Sequence, residues 1–454
     1  MAASVPVAAP PAPTSTNPVS RMRADLRAER AAAIPFPAGD TRFSMARTMR
    51  FTRDPLSLLL DAYERYGPVF TLRIFHHNVV FLLGPEANHH LLVSNAANFS
   101  WREGHYGDLI PFLGDGMLSI DGAFHRLSRK AMLPMFHRER IAASQQLMAD
   151  EVDAALDRWR PGMQLDLYHW TRELALRIVM RALFGLDPDV ARGKVDAATE
   201  FERALSFWSK DVVLQMLRGP GSPWNQMQEA RRRLDHVIYD ELRRRRAAGD
   251  FGDDLLSLLL EVQAAAGPLA LTDRNIRDEV MTLLFAGHDT TTSTVAFLFY
   301  ELSRHPHVME APDFDLSLAL DETLRLYPPA WIGPRRSIEP FEVAGVRVPG
   351  GVPVDYSSWA SHRLPDVWDA PDEFRPQRFA PGAREQLPKG AYVPFGGGSR
   401  TCLGMRFGQA EIDVIATKIL ERFRLEVEPS YRLRVRQMPT IGPRDGMPVV
   451  VRAT

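Results

Sequence analysis

Apolar residues recur along this chain mostly at helical spacing. DPLSLLLDAYERYG (residues 54–67) has that spacing and closes on Gly67, a helix stop. PVFTLRI and NVVFLLG follow as β-rich runs and predict a hairpin. Residues 101–118, rich in glycine and aromatics, predict an irregular segment of the kind that often carries function. Helical periodicity then holds over residues 124–304, broken at Pro161-Gly162, at Gly219-Pro220-Gly221 and over residues 249–252. Within it Asp273–Arg304 is apolar on most faces and polar at its middle, the pattern of a buried helix. Leu316–Leu326 reads as a shorter helix ended by Pro328-Pro329, since proline cannot continue the hydrogen-bond ladder. Short strands around residues 341–354, a proline-rich coil over 365–394, a last helix over about 403–423 and β-like ends complete the chain, with no internal repeat. The pattern predicts a mainly α fold with small β sheets at its periphery.

Composition and charge narrow the class. The 454 residues are 45% hydrophobic and 24% charged, ordinary for a chain that buries a large core. Residues 1–30 read as a disordered segment and residues 31–454 as one domain, because no linker interrupts them. A formal net charge of -1 argues against nucleic acid as a partner. A single cysteine excludes an intramolecular disulfide. No run reaches the ~18 apolar residues of a membrane span; the best candidate, residues 280–302, is interrupted by His288 and Asp289. No basic residue precedes the apolar part of residues 1–20, as it would in a secretory leader. The expectation is a cytoplasmic protein with no integral membrane anchor.

The candidate chemistry gathers around that cysteine. FGGGSRTCLG (residues 395–404) sets Cys402 just before a helix. A thiolate stays ionised when a metal, backbone N–H groups and a helix N-terminus act on it. Gly396, Gly397 and Gly398 allow the tight turn that aims those N–H groups at sulfur. Phe395 can shield the sulfur from water, Gly404 leaves room for a flat ligand, and Arg400 is placed to meet an anionic group beside it. The bland alternative is a glycine-rich loop with a buried structural cysteine. A second signal is AGHDTT (residues 286–291), in the middle of the long buried helix. Burying an Asp and two Thr without partners is costly. Ala286 and Gly287 leave room above the helix. A Thr hydroxyl can bond a carbonyl one turn back and open the helix locally, and Asp289 with Thr290 makes an acid–hydroxyl pair suited to proton delivery. Glu322 and Arg325 lie three apart on one helix face, and Arg378 follows in a proline-constrained coil.

Together these motifs resemble the cytochrome P-450 superfamily, whose cysteine signature has the form F-x-x-G-x-R-x-C-x-G; the resemblance covers nearly the entire chain after Phe51. It implies a triangular, α-rich domain with haem b (iron protoporphyrin IX) between the long central helix and the helix after the cysteine. It implies Cys402 as the iron ligand, with Ala286 over the haem and Thr290 and Asp289 directing protons to bound dioxygen. By the same resemblance Glu322, Arg325 and Arg378 brace the cysteine loop, and His125, Arg129, Arg335 (with Arg336 as its neighbour and fallback) and Arg400 meet the two haem propionates. His125 departs from the family's tryptophan version of that helix. The substrate cavity would draw on residues 101–118, Phe207, Val212, Phe285, Ala330, Ile332, Thr440 and Ile441. Their apolar character implies a hydrophobic small-molecule substrate, hydroxylated or epoxidised with one atom of O2. Electrons would come from NAD(P)H through a separate ferredoxin- or flavodoxin-type donor and its reductase, for which Arg126, Lys130 and Arg406 are candidate contacts. A peroxide-driven peroxygenase and a non-catalytic gas sensor are the rival readings. The first has no need of the Asp289–Thr290 pair, and the second should lack it or carry a signalling domain.

Overall fold

A computed structural model describes residues 18–104, 109–186, 196–210, 212–249, 252–265 and 271–454. Its longer helices are α1 (Pro18–Ala31), α2 (Met45–Arg53), α3 (Pro55–Tyr66), α4 (Gly122–Met132), α5 (Arg138–Leu156) and α6 (Leu167–Phe184). They continue with α7 (Ala197–Leu205), α8 (Pro223–Ala248), α9 (Leu255–Ala264), α10 (Asp273–Arg304), α11 (Leu316–Leu326) and α12 (Met405–Arg422). Local chemistry sets their ends. Asp54 caps α3 by accepting from Ser57 N–H, Pro55 opens it, and Gly67 stops it at φ +85°. Thr272 and Asn275 form a capping box at the start of α10. The α11 helix ends where Pro328-Pro329 begins to exclude helical geometry.

The α10 helix runs through the largest apolar cluster and packs on α6, α11 and α12. Every residue from 275 to 299 is buried except Ala286, Gly287 and Thr290. Asp289 and Thr291 are held by neighbouring elements, Thr290, Thr292 and Thr294 bond carbonyls of the helix itself, and the helix stays unbroken through AGHDTT rather than opening there.

The balance is mainly α with small sheets, as expected, and the largest sheet among the described residues has six short strands. In chain order they are β1 (Gly39–Asp40), β2 (Val69–Ile74), β3 (His77–Leu82), β4 (Phe99–Ser100), β5 (Gly333–Ser337) and β6 (Pro353–Tyr356). Their order across the sheet is β1-β2-β3-β6-β5-β4, so strands far apart in sequence become neighbours. Residues 18–30, within the segment 1–30 expected to be disordered, are helical. They lie in α1, which docks on the β2–β3 hairpin: Glu29 accepts from Arg73 at 2.8 Å and from the Asn78 side chain at 3.1 Å. Its apolar content is too low to announce a packed helix, and ion pairs hold it instead. No helix among the described residues is long and apolar enough to cross a membrane.

Candidate active site

The loop before α12 is built on short-range constraints. Gly396 and Gly398 take φ +68° and +60°, which side chains rarely adopt. Gly397 is extended at φ -166°, so it is present for space: a Cβ there would lie 3.2 Å from Leu92 Cβ. Cys402 N–H donates to Phe395 O at 2.9 Å, closing the loop under the sulfur. Phe395 and Gly404 are half-buried beside it. Cys402 presents accessible surface, yet protein surrounds the thiol closely enough that burial pushes it up; the Gly404 N–H and the Arg129 charge pull the other way. The sulfur therefore sits on the wall of an internal cleft. A thiol in such a place keeps its proton unless a cation replaces it, which is the donor chemistry of a thiolate metal ligand.

Four cationic or titratable groups gather near the sulfur. His125 and Arg129 share one face of α4, Arg335 lies on β5, and Arg400 precedes the cysteine. Arg400 donates to Ile120 O at 2.8 Å and pairs with Asp121 at 2.6 Å. Burial holds Arg400 down to about 10, Asp121 opposing and the Arg335 and Arg129 charges adding to the drop. Burial and then Arg400 and Arg129 hold His125 down to about 3. One carboxylate among several cations leaves a site that favours an anion. The two propionates of a haem fit that excess, and the sulfur fits its iron. Arg335 is the inward member of its pair: it is buried, its guanidinium lying 3.4 Å from the Trp101 ring centroid, while Arg336 reaches Asp25 and Glu103 O. Trp101 also lies 5.1 Å from the Arg400 guanidinium. Its role of spacing two arginines by cation–π contact has no signature in the sequence.

The middle of α10 divides its polar residues between two directions. Thr290 Oγ1 donates to Ala286 O at 2.6 Å, and these two with Gly287 form the accessible strip of the helix. Asp289 turns away into the protein. It is fully buried and bound by Arg172 of α6 and by the Thr440 hydroxyl, with Arg436 at 3.7 Å. Burial alone would raise its carboxyl, but Arg172 and Arg436 hold it below its ordinary value, so it is ionised. Arg172 continues to Glu202 at 2.6 Å, a side chain 39% exposed. His288 accompanies this chain, its Nε2 lying 3.0 Å from Arg172 O and 3.2 Å from Glu202. Thr291 donates at 2.9 Å to Glu411 of α12, whose carboxyl burial pushes up to about 8. Glu411 was legible as the single acid in an apolar stripe spaced by four, Phe407-Glu411-Ile415-Ile419.

Behind the cysteine loop, Glu322 and Arg325 are fully buried and paired by two bonds of 2.7 and 2.8 Å. Glu322 also accepts from Arg378 at 3.3 Å and from Arg375 N–H at 2.8 Å. The link to the loop is His362, which sequence reasoning missed. Its Nδ1 lies 3.2 Å from Arg325 O and its Nε2 accepts from Val393 N–H at 2.9 Å. A carbonyl on one side and an N–H on the other require the neutral Nδ1–H tautomer. Burial, then the Arg325 charge, holds His362 down to about 3, against 6.5 for a free histidine. Its contribution to stability is therefore complete above pH 6.5 and lost as pH falls toward 3. His362→Gln keeps a donor and an acceptor without the titration. Melting temperatures across that window should fall less steeply for the variant than for wild type; parallel profiles would rule out His362 as a source of acid sensitivity.

The residues expected to line a substrate cavity separate. Ala330 is exposed and Ile332 half-buried, so both have surface to offer. Phe285 and Phe207 are buried, the latter edge-on to Trp208 and Trp224. Thr440 bonds Asp289, and Ile441 is fully buried in a cluster with Phe297 and Trp331. Residues 105–108 and the side chain of Val212 lie outside the described residues.

Residues 42–312 and 316–441 match the family model described as Cytochrome P450. The chain is 30% identical over 415 residues to cyclooctat-9-en-7-ol 5-monooxygenase of Streptomyces melanosporofaciens, covering 86% of this chain and 89% of that protein. It is 31% identical to cyclooctatin synthase of the same organism, covering 86% and 90%. Among solved structures, cyanobacterial CYP120A1 with retinoic acid bound superposes with a TM-score of 0.79 at 25% identity, over 93% of this chain and all of that one.

Proposed function

The chain belongs to the cytochrome P450 family and is a haem-dependent monooxygenase of small molecules; on that premise we propose that it hydroxylates or epoxidises a hydrophobic substrate with electrons from a separate redox partner, Thr290 positioning the proton delivery. The observation that carries this reading is the strip Ala286, Gly287 and Thr290, the sole accessible part of residues 275–299 in the buried α10.

Haem bound through Cys402 would supply the oxygen activation, with two electrons and two protons consumed as one oxygen atom enters the substrate and the other leaves as water. The residues do the rest. His125, Arg129, Arg335 and Arg400 would hold and orient the propionates. Ala286 keeps side-chain bulk away from the reacting space, while Gly287 lets α6 pack close, since a Cβ there would lie 3.1 Å from Val179 Cγ2. Thr290 Oγ1, pinned by Ala286 O, holds a water or a proton at a fixed point. Asp289, kept ionised by Arg172, relays protons rather than storing one, and Arg172–Glu202 leads from it toward solvent. Asp289 must exchange its Arg172 contact for one toward Thr290 during this relay. Exposed Arg126, Lys130 and Arg406 suit an acidic ferredoxin- or flavodoxin-type donor, reduced by NAD(P)H through its reductase. The relatives named for cyclooctat-9-en-7-ol and cyclooctatin, and the retinoic acid in the cyanobacterial structure, favour a bulky hydrophobic substrate.

Thr290→Ala tests the proton role. Haem content, substrate-induced spectral change and NAD(P)H consumption should persist, while product per NAD(P)H should fall by about tenfold or more, with H2O2 appearing instead. Unchanged coupling would remove Thr290 from the mechanism. Product formed equally well by both proteins from added H2O2 alone, and not from O2 and the donor system, would favour a peroxygenase.

A further inference from the structure

The tip of the β2–β3 hairpin carries two adjacent histidines that neither the haem site nor the proton route uses. The hairpin pairs Ile74 with His77 across a turn of Phe75 and His76 alone. Phe75 takes φ +53°, a backbone conformation that favours Gly or Asn. This tight turn places the His76 and His77 rings 4.3 Å apart. On the other side, α1 lays Asp25 against them. Asp25 and His77 are buried, whereas the His76 side chain is 32% exposed.

We propose that Asp25, His76 and His77 bind a divalent transition-metal ion of the zinc–copper class, which fastens α1 to the hairpin. One ligand atom from each residue converges on the same point. Asp25 Oδ2 and His76 Nε2 are 2.9 Å apart, His76 Nε2 and His77 Nδ1 3.0 Å, and His77 Nδ1 and Asp25 Oδ2 3.9 Å. Ligands ~2.0–2.1 Å from a tetrahedral zinc ion stand about 3.3 Å from one another, so shifts of a few tenths of an ångström suffice. If His76 Nε2 carries a proton, that proton is shared between Asp25 and His77; if it does not, its lone pair faces the carboxylate. A cation at the centre uses all three lone pairs at once.

The surroundings support a ligand role. Arg336 of β5 binds Asp25 through Oδ1, which fixes the carboxylate plane and leaves Oδ2 for the site. His76 is oriented from behind by Arg73, which donates to His76 O at 2.7 Å. The exposed edge of His76 gives an ion a way in and leaves a further coordination position to water. Two imidazoles with one carboxylate select zinc or copper over magnesium and calcium, which prefer all-oxygen sets.

The test uses the full-length, haem-loaded protein and Zn2+ itself. Equilibrium dialysis with elemental analysis should find about one more Zn2+ bound by wild type than by His76→Ala, a variant at a partly exposed position whose haem spectrum reports integrity. Outer-shell partners alone are worth ~10–100-fold in metal affinity, so losing a direct ligand should weaken this site by at least about that much. Trypsin supplies a second reading, since α1 contains Arg21, Arg23, Arg27 and Arg30. Zn2+ should slow cleavage within α1 in wild type, but not in His76→Ala or Asp25→Asn. Equal Zn2+ binding by wild type and His76→Ala would overturn the site. So would protection by Mg2+ equal to that by Zn2+, or protection that survives in both ligand variants.

Discussion

Glu322→Ala should yield protein that accumulates with little haem and melts well below wild type. The carboxylate lies at 0% exposure and is, among the described residues, the only charge that meets the Arg325 guanidinium directly; what remains to Arg325 are the carbonyls of His362, Pro371 and Glu373. Removing one partner of a buried pair leaves the other charge unsolvated, at a cost of about 3–5 kcal/mol. Native proteins hold only ~5–15 kcal/mol in all, so most of the margin disappears. The damage should be directional. Arg375 N–H and Arg378 lose an acceptor, and the Arg325–His362–Val393 connection that steadies the cysteine loop is released. The measurements are haem per protein chain and melting temperature, with Glu322→Gln as the intermediate case that keeps shape and loses charge. Normal haem loading with normal turnover in Glu322→Ala would refute the bracing role.

Cys402→Ser is the second large effect, and it should separate chemistry from folding. The side chain makes no disulfide and sits on a cleft wall, so the chain should still fold. A serine hydroxyl in that buried place stays protonated and is a poor iron ligand, even with the Gly404 N–H beside it. Product formation should drop to background. The reduced carbonyl complex should lose the strongly red-shifted Soret band that membership of the family implies for thiolate ligation. Survival of that band in Cys402→Ser would mean another residue binds the iron.

Much of this protein is legible in its sequence wherever structure depends on near neighbours. Asp273–Arg304 and Leu316–Leu326 were readable to their last residues, because capping side chains, apolar spacing and prolines act within a turn or two. The hairpin and the glycine-bearing loop of Cys402 were readable for the same reason. Even the alternative between Arg335 and Arg336 was half-solved. Adjacent strand residues must face opposite sides, so one of the two points inward.

Tertiary structure decided the rest. Which arginine turns inward depends on register, set by Arg335 pairing with Val354 and Arg336 with Ser100. The six-stranded sheet assembles strands distant in sequence, and no local pattern states their order. That Arg172 and Thr440 meet at Asp289 follows from packing alone. His362 carries no periodic signal, yet it joins the buried ion pair to the cysteine loop. These assignments share one physical cause. A buried charge or a polar ring must find partners where water is excluded, and those partners come from whichever segments the fold brings within about 3 Å. Spacing along the chain names the groups that need partners; only the packed structure names the partners.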